Sequence, residues 1–242
     1  MRFHFIEGLA GCVYAKEHGC TAVIVDALRA SATAAMLLDA GATELLLVPD
    51  VETAFRAKEA NSDALLYGER GGVPPEGFDY GNSPQDCAPA EGKRVIFTTT
   101  NGTALALEAY GAPEVLLGTT VNASALVNYV VEQDRDVVLI PAGKVSDSEY
   151  SAQEDWVAAA SMGMLVDMEV DEGAAAYREW QHLISLDGVA KLFATAPHAE
   201  ELRKVNLESD IAYCARRDLT KAVPQIVERN EFGLVVRNGH VS

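Results

Sequence analysis

The chain has 242 residues, 49% hydrophobic and 23% charged, a balance that excludes a disordered or fibrous protein and is long enough to bury a substantial core. Lys and Arg total 19 against 36 Asp and Glu, a formal charge of −17 at pH 7, which argues against nucleic acid or anionic lipid as a partner unless the cations are concentrated. No apolar run approaches a bilayer span, MRFHFIEG lacks the apolar core of a secretory signal, and Cys12, Cys20, Cys87 and Cys214 form no C-x-x-C pair, so the expectation is a cytoplasmic protein with reduced thiols and no membrane segment.

In chain order, TAVIV (21–25), ELLLV (44–48), ALLYG (64–68), RVIFT (94–98), EVLLG (114–118) and DVVLI (136–140) read as buried strands. Between them SATAAMLLDAG, VETAFRAKEAN, GTALALEAYG and NASALVNYVVEQ carry the alanine content and apolar spacing of amphipathic helices. Strand-helix alternation predicts an α/β protein with a largely parallel or mixed sheet covered on both faces. Beyond residue 150, EDWVAAASMGMLV, GAAAYREWQHLI and PHAEELRKVN predict a helix-rich C-terminal half, and PQIVERN with FGLVVRNG reads as a closing hairpin. With no Pro/Ser-rich linker and no repeat, residues 1–242 read as one domain.

Several common catalytic signatures are absent. VDALRA has leucine at position 28, where an aspartyl-phosphate phosphatase has a second Asp. No cysteine has the following arginine of a cysteine phosphatase, and no histidine lies in Arg-His-Gly. There is no G-x-x-x-x-G-K-[ST] loop, no G-x-G-x-x-G fingerprint and no G-x-S-x-G elbow. Ser83-Pro84 reads instead as a helix start, with serine capping and proline in the first turn.

Ligands of open α/β sheets gather where strands end, which directs attention to Asp26 and Arg29, Glu69 and Arg70, TTTNGT (98–103), Asn122 and Gly143-Lys144. Asp26, Glu69, Asp79, Glu154 and Asp155 beside Arg29, Arg70 and Lys144 suit a divalent metal and an anion, since magnesium needs only one or two carboxylates plus water and substrate oxygens. Arg29 so close to Asp26 reads equally as a structural ion pair or as a bidentate anion clamp. The loop GERGGVPPEGFDYGNSP (68–84) is long and poor in packing residues, which favours a functional loop over a plain surface Ω-loop, and it carries Glu69, Arg70, Asp79 and Asn82. In TTTNGT, small residues between strand and helix can aim backbone N–H groups at one anion; the plainer reading is a strand end followed by a cap at Thr103.

Taken in order, VDALRASAT (25–33), GERGG…GFDYGNSP (68–84), TTTNGT (98–103), NA (122–123), PAGK (141–144) and DIAYCA (210–215) resemble the 2-phosphosulfolactate phosphatase family over nearly the whole chain. The resemblance implies a three-layer α/β/α sandwich and a magnesium-dependent hydrolase that converts 2-phosphosulfolactate to 3-sulfolactate and phosphate in coenzyme M biosynthesis. Carried over, Asp26, Glu69 and Asp155 would be metal-binding or nucleophile-positioning carboxylates, and Arg29 and Lys144 would hold phosphate or sulfonate. Asn101, Gly102 and Thr103 would form the nest, with Asn82 and Thr100 also contacting substrate. Two mechanisms stay open, attack by water, which is favoured, and an aspartyl phosphate on Asp26. Also open are another small phosphorylated acid as substrate, a non-catalytic sensor of such acids, and a symmetric homodimer.

Overall fold

The computed structural model describes residues 1–144, 147 and 150–239. Its strands are β1 (Phe3–Phe5), β2 (Thr21–Val25), β3 (Glu44–Leu47), β4 (Leu65–Gly68), β5 (Arg94–Thr98), β6 (Glu114–Leu117), β7 (Val137–Pro141), β8 (Pro224–Arg229) and β9 (Leu234–Asn238). The helices are α1 (Gly8–His18), α2 (Ala30–Asp39), α3 (Val51–Ala60), α4 (Gly102–Ala109), α5 (Ala123–Glu132), α6 (Gln153–Gly163), α7 (Ala174–Asp187), α8 (Val189–Ala194), α9 (Pro197–Lys204) and α10 (Glu208–Cys214). All six internal strands and the hairpin expected from the sequence form. No helix among the described residues is long and apolar enough to cross a membrane.

The strands make one mixed nine-stranded sheet in the order β1-β7-β2-β6-β8-β9-β3-β5-β4. Alternating side chains sort its two faces. Val23 and Val25 of β2 join the core under α5 to α10, whereas Ala22 and Ile24 join the core under α1 and α4. On β3 and β5, Leu46 and Ile96 face α3, and Leu45, Leu47, Val95 and Phe97 face the opposite layer. The result is a three-layer α/β/α sandwich. In α2 eight of ten residues are buried, and its small side chains contribute to the cores on both sides.

The hairpin sits inside the sheet instead of at its edge. β8 pairs antiparallel with β6, β9 with β8, and β9 with β3. Three antiparallel pairings in series make the β3-β5-β4 block run opposite to the β1-β7-β2-β6 block. Five ladder steps separate β2 from β5, and at roughly 20–25° of twist per step the accumulated rotation is roughly 100–125°. That rotation allows the loops after β2 and β5 to meet, and a hydrogen bond of 2.9 Å from Gly102 N–H to Asp26 Oδ2 joins them.

Four short elements were not evident from the sequence: β1, which adds in parallel to β7; α1, which ends at Gly19 in the left-handed region at φ 68°; and the helices α8 and α10. Ser83-Pro84 does not start a helix. Ser83 instead donates to Asp210 Oδ1 at 2.8 Å and accepts from Gln85 N–H, which fixes a turn to α10. The hairpin turn is fastened by Asn230, whose side chain accepts from Phe232 and Gly233 N–H. A Cβ on Gly233 would lie 1.9 Å from the Leu47 carbonyl oxygen. Gly233→Ala is therefore expected to lower unfolding free energy by about 3 kcal/mol, the upper range for overpacking, as read from urea denaturation; an unchanged midpoint would show that the hairpin does not depend on this close approach.

Candidate active site

The loops after β2, β4, β5 and β7 and the helix α9 enclose a cavity of about 480 Å³. Asp26, Arg29, Glu69, Asn82, Thr100, Asn101 and Lys144 of the sequence-derived set line it, joined by His198, Glu201 and Lys204 from α9. Gly102, Thr103 and Asp155 do not line it: Gly102 holds the lining Asp26, whereas Thr103 binds Thr99 and Asp155 binds Ala27 and Gly143, which are neighbours of lining residues in sequence.

Asp26 is buried directly after β2. Its Oδ1 accepts from Ala30 N–H at 3.1 Å and its Oδ2 from Gly102 N–H. A Cβ on Gly102 would meet Asp26 Oδ2 and the Ala30 methyl at 2.8 Å, so the Asn-Gly step permits this approach. The donors expected to face an anion are thus engaged within the protein: Gly102 N–H holds Asp26, and Thr103 N–H binds Thr99 Oγ1 while Thr103 Oγ1 accepts from Thr99 N–H. Thr100 turns its N–H and hydroxyl to Glu69 Oε1 at 2.8 and 2.9 Å, and Gly72 N–H binds Glu69 Oε2. The loop after β5 therefore organises two cavity carboxylates, Asp26 through Gly102 N–H and Glu69 through the N–H and hydroxyl of Thr100.

Arg29 does not pair with Asp26 three residues earlier. Its Nη1 donates to Asp210 Oδ2 at 2.6 Å and its Nη2 to the Gly72 carbonyl at 2.7 Å, in a buried ion pair. Asp210 also accepts from Ser83 and Gln85. These contacts use two of the five guanidinium donors. Lys144 lies 3.6 Å from Glu201 and over the Tyr150 ring. Of the other strand-end polar residues, Asn122 binds Thr119, Leu117 and Ala222 backbone groups, Asp79 accepts from Leu66 N–H, and Arg70 binds Glu69 O and Thr98.

Asp155, in the first turn of α6, bridges two loops. Its Oδ1 accepts from Ala27 N–H at 2.8 Å and its Oδ2 from Gly143 N–H at 2.9 Å. Burial, with the neighbouring charges of Glu154 and Asp26, pushes its carboxyl well above the usual range despite those bonds. Asp26 is also raised, by burial first, against the charge of His198 and the Ala30 N–H. Glu154 is buried; its Oε1 lies 3.3 Å from His198 Nδ1, and its Oε2 has no partner among the described residues. Burial lowers His198, but the hydrogen bond and charge of Glu154, with Asp26 and Glu201, outweigh it and leave the imidazole raised. Sequence reading missed His198, which belongs to no local motif and lies 44 residues from Glu154.

Among the described residues no three His, Cys, Asp or Glu side chains are grouped to hold a metal, so Asp26, Glu69 and Asp155 do not converge into one ligand set. Asp26 and Glu69 do line the same cavity. Two carboxylates there fit the sparse protein ligation of magnesium, which retains waters and takes substrate oxygens.

Residues 12–229 match the family model described as 2-phosphosulpholactate phosphatase. A protein of Carboxydothermus hydrogenoformans named probable 2-phosphosulfolactate phosphatase is 34% identical over 204 residues, 84% of each chain. Proteins of the same name from Deinococcus radiodurans and Clostridium acetobutylicum are 35% and 32% identical, covering 85% of this chain and 87% and 88% of their own.

Asp155→Ala would strand the Ala27 and Gly143 N–H groups, at about 1–3 kcal/mol each, offset in part by removing a buried carboxylate. The expected result is a net loss of about 2 kcal/mol in urea denaturation. Because the folded-state carboxyl is raised, the stability that Asp155 contributes is full below about pH 4 and is lost as pH rises through the folded value. The variant should be flatter over that window; an unchanged pH slope and midpoint would remove Asp155 as the tie between the loops.

Proposed function

The chain belongs to the 2-phosphosulfolactate phosphatase family and is a phosphoric monoester hydrolase, and we propose that it hydrolyses 2-phosphosulfolactate to 3-sulfolactate and phosphate with the help of magnesium. The observation that carries this reading is the cavity itself: in a protein of charge −17, Arg29, Lys144 and Lys204 line one space together with the carboxylates of Asp26 and Glu69. Cations alone would suit an anion sensor. Carboxylates beside them are unfavourable for anion binding unless a metal offsets their charge, which favours hydrolysis over sensing.

In this reading Asp26 and Glu69 hold magnesium, which when bound supplies positive charge against the phosphoryl oxygens. Arg29, fixed by Asp210, and the lysines attract and orient the substrate anions. The hydrogen bonds from Ala30 and Gly102 fix the Asp26 carboxylate, so that it positions the attacking water without reorganisation during the reaction. Direct attack by water is preferred to an aspartyl phosphate, because no sequence motif marks Asp26 as a covalent nucleophile. The product would feed coenzyme M biosynthesis in the cytoplasm.

Phosphate release should be compared among 2-phosphosulfolactate, phosphoglycolate, phospholactate and 3-phosphoglycerate, each with magnesium and with chelator. Magnesium-dependent preference for the sulfonate supports the reading; preference for another acid retains a phosphatase but replaces the substrate; tight binding without release would favour a sensor. Asp26→Asn is expected to lose about 10²-fold or more in kcat, the range for a group acting in proton transfer or metal positioning. Wild-type turnover in that variant would remove Asp26 from the scheme.

A further inference from the structure

An aliphatic phosphate monoester leaves as an alkoxide, a poor leaving group unless it receives a proton as the bond to phosphorus breaks. Asp26 and Glu69 are tied to backbone donors, Arg29 cannot be deprotonated, and Lys144 is held by Glu201 and Tyr150. Among the described residues, His198 is the one histidine that lines the cavity. Its Nδ1 faces Glu154 Oε1 at 3.3 Å, with the Glu154 side chain only 3% exposed and that of His198 25% exposed.

When Glu154 is ionised it can only accept a hydrogen bond, and the proton of this contact is then on Nδ1. Nε2 is then the nitrogen that gains or loses a proton, on a ring that lines the cavity. Among the described residues Glu154 Oε2 is buried without a partner, and His198 is the one side chain hydrogen-bonded to this carboxylate. The charged groups around the ring are Glu154 from α6, Asp26 from the β2 loop, Glu201 on its own helix, and Lys144, Lys204, Arg29 and Glu69 around the cavity. Glu154, Asp26 and Glu201 all favour the imidazolium.

We infer that His198 is the general acid of the reaction, donating its Nε2 proton to the bridging ester oxygen, and that Glu154 is the positioning residue that fixes its tautomer and orientation. The inference rests on the phosphatase reading above. As the water oxygen bonds to phosphorus, the bond from phosphorus to the ester oxygen breaks and its electron pair goes to that oxygen, which takes the proton from Nε2. The proton released by the water restores the imidazolium by way of solvent. The net change is ester plus water to alcohol plus hydrogen phosphate.

The test compares one variant on two esters. Against the preferred aliphatic phosphate, His198→Gln is expected to lose about 10²- to 10⁴-fold in kcat, the range for a general acid. Against 2,4-dinitrophenyl phosphate, whose phenolate leaves without protonation, it should lose less than about fivefold. Equal losses on both esters would overturn the assignment, since a merely structural histidine does not distinguish leaving groups. Should His198→Gln fail to fold, Glu154→Gln gives a second reading. Removing a charge that raises His198 must move the alkaline limb of kcat/KM to lower pH, and an unmoved limb would overturn the role of the pair. If the native protein with magnesium releases phosphate from neither ester, the phosphatase reading fails and this inference fails with it; release by the native protein with equal loss in His198→Gln sinks the inference alone.

Discussion

The cavity depends on the buried ion pair between Arg29 and Asp210. One guanidinium joins the residue just before α2, the carbonyl of Gly72 in the long glycine-rich loop, and a carboxylate on α10 that also receives Ser83 and Gln85. Removing one partner of such a pair typically costs about 3–5 kcal/mol, because the remaining charge is buried and uncompensated. The pair therefore fixes both ends of the 68–84 loop relative to the C-terminal helices. It also places a cation on the cavity wall without the entropy loss of ordering a free side chain when an anion arrives.

The hairpin supplies the second constraint. By entering the sheet between β6 and β3 it reverses one block against the other, and twist then brings the loops after β2 and β5 together. The bond from Gly102 to Asp26 seals that meeting, and Asp155 makes the analogous tie between the loops after β2 and β7. Acidic side chains here do what backbone pairing does in the sheet. They satisfy buried N–H groups where the chain leaves regular structure, which explains how carboxylates are accommodated at low exposure.

Much of this was legible in the sequence, for reasons that are local. The β-branched runs from TAVIV to DVVLI became strands because burial on both faces requires continuous apolar residues, and the alanine-rich segments became helices because they pack closely on that sheet. The carboxylates and cations at strand ends were found for the same reason, since the rule about strand ends needs only local pattern. What could not be read was pairing at long range. Arg29 finds Asp210 at a separation of 181 residues, His198 finds Glu154 at 44, and the Asn-Gly of TTTNGT serves a carboxylate of its own chain. β1 is three residues long, too short for alternation to register, and the interior position of the hairpin leaves no local trace.

The cavity does not share the strong negative charge of the whole molecule: its lining sets Arg29, Lys144 and Lys204 against Asp26, Glu69 and Glu201, a balance that a bound metal would tip towards an anionic substrate. A crystal structure determined with orthovanadate, a mimic of the phosphoryl group in transfer, tests the account most directly. Vanadate is expected in the cavity, in contact with Arg29 or Lys144 and within hydrogen-bond reach of His198 Nε2. Vanadate bound elsewhere, with this cavity empty at saturating concentration, would contradict it.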